Sequence, residues 1–81
     1  MRNIVAVIDK ILSVIPDDQS MPHLRAGLDN IKDSAKYSAP ESMYFLWQRG
    51  AILLWKEFNE ADYTDLTGWH RSVVDIWMDK K

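Results

Sequence analysis

Cysteine is absent from this sequence, so neither a disulfide framework nor a thiolate metal site is available to it. Glycine is scarce: the three glycines stand alone at 27, 50 and 68, and no phosphate-cradling loop can be built from them. Long apolar runs are missing too. No uncharged apolar stretch is longer than that from Ala51 to Trp55, far short of the ~20 residues that a membrane-spanning helix needs. Asp9 and Lys10 break the apolar start, and no small-residue cleavage site follows, so the N-terminal residues do not read as a signal peptide. Nor does charge of one sign dominate. Twelve acidic and ten basic residues give a net charge of −2 without long blocks, whereas a nucleic-acid binder needs a clustered basic face. The expectation is a cytoplasmic protein with no membrane and no nucleic acid among its partners.

What the chain does have is apolar residues at helical spacing. They make up 47% of its 81 residues, enough to offset the entropy of folding into one helical domain covering residues 1–81. In the first segment Ile4, Ile8, Ile11 and Ile15 recur every three or four residues. Asn3 suits the N-cap and Pro16 stops the segment. Its β-branched content also admits a strand, but Asp9, Lys10 and Ser13 on one side favour a helix. The second segment begins near Ser20 and ends near Tyr37. Met21, Leu24, Leu28, Ile31 and Ala35 form its seam, while Arg25, Asp29, Lys32 and Asp33 are expected to face water.

The third segment opens on Ser38-Ala39-Pro40-Glu41, read as a capping box with proline in the first turn, and runs from Pro40 to about Asn59. Met43, Trp47, Gly50, Leu54 and Phe58 make one stripe; Tyr44, Phe45, Leu46, Ile52, Leu53 and Trp55 fall on other faces. A helix apolar nearly all round belongs at a centre. The fourth segment is expected to start at Thr64 or Asp65, with Leu66, Trp69, Val73 and Ile76 or Trp77 on its inner face and Arg71–Asp75 as an outer i,i+4 pair. Short connections then predict a small all-α antiparallel bundle of four helices, the third at its centre.

Catalytic chemistry finds little support. The serines have only His23 and His70 as histidine bases, and Ser20 and Ser38 read as caps. His70 lies near Asp62 and Asp65 in sequence but lacks metal-ligand spacing, and it reads as a surface residue. The acidic stretch from Glu57 to Asp65 reads as a solvated helix end followed by capping carboxylates. No catalytic residue, metal or cofactor is expected.

The aromatic residues carry the functional expectation. Four tryptophans, three tyrosines and two phenylalanines are more than a thin core hides with ease. Trp47 and Trp69 lie on inward stripes, whereas Tyr44, Trp55 and Trp77 are harder to place inside. Tryptophan and tyrosine are enriched at binding hot spots. The expected function is a non-catalytic protein-binding module of inhibitor, immunity or adaptor type. Tyr44, Trp55 and Trp77 would form its patch and Arg49, Lys56, Glu60 and Arg71 its rim. The alternative is a structural homodimer closed by the same surface. A helix-turn-helix regulator ranks lower, because its recognition helix would be the apolar Met43-Tyr44-Phe45-Leu46-Trp47.

Overall fold

The structure, a computed structural model, describes residues 3–16, 22–60 and 68–79, with only the backbone of Glu60. Four helices form: α1 (Ile4–Val14), α2 (Pro22–Ala35), α3 (Met43–Glu60) and α4 (Gly68–Met78). A short 3₁₀ turn, Pro40–Ser42, leads into α3. No strand occurs among the described residues, so the β-branched content of α1 does not decide its conformation. Periodicity does. Ile4, Ile8, Ile11 and Ile15 are all buried, as their spacing predicts. In a strand the same residues would be divided between two faces. The Asn3 side chain accepts hydrogen bonds from the Val5 and Ala6 amides at 3.0 and 3.3 Å, satisfying two donors that the helix cannot.

The core is built mainly on α1 and α2. Leu24, Leu28, Ile31 and Ala35 of α2 pack with the α1 isoleucines, and Leu46, Leu54, Phe58, Val73 and Trp77 complete one cluster from α3 and α4. Each fully buried aliphatic side chain contributes roughly 1.5–3 kcal/mol relative to exposure. Packing joins α1 to both α2 and α4, and α2 to α3.

Two side chains of α2 expected to face water turn back to α1 instead. The Arg25 guanidinium donates to the Ile15 carbonyl at 3.0 Å, satisfying an acceptor just past the end of α1. Lys32 donates to Asp9 at 2.8 Å. Long basic side chains can lie along an apolar seam and carry their charge to the neighbouring helix.

The entry to α3 also differs from expectation. Ser38 is not its N-cap. Its hydroxyl donates to the Ser34 carbonyl at 2.8 Å, closing the end of α2, and Ala39 occupies the cap position without a side-chain bond. The capping box therefore does not form. Pro40 and Glu41 stand in the 3₁₀ turn instead of the α-helix, where proline's missing N–H costs nothing. The inner stripe of α3 is Leu46, Gly50, Leu54 and Phe58; Leu46 replaces the half-buried Met43 and Trp47 as its first fully inward residue. The expected caps of α4, Thr64 and Asp65, lie outside the described residues, as do Ser20, Met21 and Leu66.

Candidate functional site: the outer face of helix three

At about 100° per residue, the sequence of α3 divides into two arcs. Leu46, Gly50, Leu54 and Phe58 take the inner one. Tyr44, Phe45, Gln48, Arg49, Ile52, Trp55, Lys56 and Asn59 take the outer one, and all eight are exposed. Four are large and apolar: Tyr44, Phe45, Ile52 and Trp55 are 65%, 62%, 65% and 75% exposed. The apolar circumference of α3 thus divides between one face in the core and a second that is open. The edge of the Phe45 ring meets the Tyr44 ring at 5.8 Å, and Gln48 donates to the Tyr44 hydroxyl at 3.4 Å.

Trp47, Phe58, Trp69 and Trp77 join α3 to α4. The Trp47 and Trp77 rings lie 4.8 Å apart, linking the start of one helix to the end of the other. Phe58, near the end of α3, meets Trp69 edge-on at 6.3 Å near the start of α4. His70 stacks on Trp69 at 3.8 Å and meets Phe58 at 5.7 Å. It is half-buried in this aromatic cluster, and the expectation of a plain surface histidine is corrected accordingly. Among the described residues no group of three or more His, Asp or Glu is placed to hold a metal ion.

The expected patch is therefore redistributed. Tyr44 and Trp55 are exposed, but Trp77 is only 8% exposed and sits against Gly50, whose missing side chain makes room for the indole. It cannot leave that site to fill a partner's pocket without opening the core. Arg49 and Lys56 lie on the outer arc of α3. Arg71 is on α4, exposed and 4.0 Å from Asp75; the Glu60 side chain is outside the described residues. Phe45 and Ile52, assigned from sequence only to other faces, belong to the patch. Their positions seven apart on the same arc as Trp55 were a usable clue.

Two grooves flank the exposed strip. Between α3 and α4 a space of 420 Å³ is lined by Ala51, Leu54, Trp55, Phe58, Asn59, Val74, Trp77 and Met78. Arg71 stands three and seven residues from Val74 and Met78, on the same edge of α4. Between α2 and α3 a second space of 480 Å³ is lined by Ala26, Gly27, Asn30, Ile31, Arg49, Ile52, Leu53 and Lys56. No helix among the described residues is long and apolar enough to cross a membrane. No protein-family model, curated protein or solved structure matches the chain.

Proposed function

We propose that this chain is a non-catalytic protein-binding module, of inhibitor, immunity or adaptor type, that docks through the outer face of α3. One observation carries the reading. Tyr44, Phe45, Ile52 and Trp55 form a contiguous exposed arc on a single helix, where a monomer would ordinarily present polar side chains. Large apolar groups on a rigid helix lose little entropy on docking and release water when covered. Trp55 is the expected anchor, Arg49 and Lys56 belong to the rim, and Arg71 adds a charge on α4. A cytoplasmic setting is part of the proposal, in keeping with a chain that uses no cysteine.

The test compares tagged wild type with Trp55→Ala in capture from the native host. Truncating a true anchor costs at least ~2 kcal/mol, roughly thirtyfold in affinity. A partner retained at full strength by Trp55→Ala removes this face from the reading.

A second reading is a structural homodimer. It is favoured by the adjacency of an exposed indole, Trp55, and an apolar groove that the same residue helps to line. A two-fold interface needs such a self-complementary surface. Light scattering at high concentration separates the two: a strict monomer removes the dimer.

A further inference from the structure

Among the described side chains, the charge on the outer arc of α3 is one-sided. The helix carries Arg49 and Lys56 on that arc, whereas its Glu57 is half-buried off the arc and the Glu60 side chain is outside the described residues, in a chain whose net charge is −2. Both cations are exposed on the outer arc, and neither pairs with a carboxylate among the described residues. Among the described residues they are also the only charged ones lining the groove between α2 and α3, whose other walls are Ala26, Gly27, Asn30, Ile31, Ile52 and Leu53.

Spacing adds a second constraint. Arg49 and Lys56 are seven residues apart, two helical turns or about 10.5 Å, with Ile52 between them on the same arc. A helix laid along this groove would set carboxylates at i and i+7 opposite the two cations, and apolar residues at i+3 and i+4 against Ile52 and Leu53.

We propose that the occupant of this groove is an acidic amphipathic helix of a partner protein. The inference deepens the protein-binding reading above and rests on it. A second copy of the chain fits less well, since pairing two of these faces gathers four cations where the described side chains of the outer arc offer no anion. Single-stranded nucleic acid could stack on Tyr44 and Trp55, but two cations supply little of the positive track that a phosphate backbone requires.

The test uses the full chain and two labelled amphipathic peptides of about three heptads. They share one apolar stripe, flanked by Glu in one and by Lys in the other. Fluorescence anisotropy at low salt is expected to show the Glu peptide binding about tenfold more tightly or better, since each exposed ion pair is worth up to roughly fivefold in affinity. The preference should shrink in molar salt. The double variant R49E/K56E changes exposed side chains only and is expected to retain the helical circular dichroism spectrum. It should reverse the order of the two peptides. Equal binding of both peptides, or an order unmoved by the charge reversal, overturns the proposal. So does tighter binding of a thymidine oligonucleotide, or a dimer that Trp55→Ala dissociates. A host protein lost on Trp55→Ala, with no preference for the acidic peptide, would sink the acidic helix and leave the protein-binding reading standing.

Discussion

Trp77 packs where a side chain on Gly50 would have to be. A Cβ built there would lie 2.6 Å from Cζ2 of the indole and closer still to Cη2. The indole in turn lies 4.8 Å from the Trp47 ring, so it has little freedom to retreat. Gly50 is the space that lets α4 close on α3, and it explains how an aromatic-rich chain buries one of its largest residues.

The contact makes Gly50→Ala a sensitive substitution. Alanine gains about 1 kcal/mol in helix propensity, but overpacking typically costs 1–3 kcal/mol and here it meets a rigid ring. The expected result is a net loss of up to about 2 kcal/mol in chemical denaturation. Gly27→Ala is the control. Its added carbon meets the terminal methyls of Leu53, a half-buried side chain that can rotate toward the groove. That variant should be neutral or slightly more stable. Equal destabilisation by both would remove Trp77 as the cause.

Trp55 and Trp77 should behave as opposites. Trp77→Ala empties a buried site and is expected to cost ~3–5 kcal/mol, enough to threaten folding of so small a chain. Trp55→Ala removes an exposed ring and should stay within about 0.5 kcal/mol of wild type in urea unfolding. A thermal midpoint falling equally in both variants would show that Trp55 is structural.

The two polar caps can be separated in the same way. Asn3→Ala deletes bonds to the Val5 and Ala6 amides and should cost about 1 kcal/mol. Ser38→Ala removes the bond to the Ser34 carbonyl. Amide exchange is expected to quicken at the end of α2, with the first turn of α3 unchanged. Faster exchange at Met43 to Leu46 alone would restore Ser38 as the cap of α3.

Alkaline pH tests the link between α1 and α2. The hydrogen bond to Asp9 holds the Lys32 ammonium above its ordinary pKa of 10.5. A raised folded-state pKa means stability that is fully present below about 10.5 and lost as pH rises through the folded value. The stability difference between wild type and Lys32→Met should therefore be constant at neutral pH and shrink above that point. A difference that persists unchanged at strongly alkaline pH would assign the effect to the lysine's methylenes.

Much of the helical layout was legible in the residue order. The isoleucines of α1 and the leucines of α2 keep a single inward face, and hydrophobic periodicity reads such faces well. The capping box failed because the same Ser38 hydroxyl can serve either the preceding or the following helix, and the chain alone does not say which acceptor or donor comes within reach. Of the proposed site, residue type singles out Arg49 and Lys56, and aromatic excess singles out Trp55. Phe45 and Ile52 share an arc with Trp55, but on a helix apolar nearly all round spacing alone does not say which arc stays open.

The linear sequence determined that this chain forms helices, that α1 and α2 would be amphipathic and that α3 would be greasy around most of its circumference. Those properties follow from local spacing and composition, which any stretch of chain carries with it. Only tertiary packing decided which greasy face was covered. Trp77 and Trp55 are the same residue type on neighbouring helices, and the sequence offers each a similar claim to the interior. Trp77 found the gap above Gly50, while Trp55 stays exposed at the edge of the groove between α3 and α4. Burial is a property of the space between elements, and that space exists only once the helices have packed.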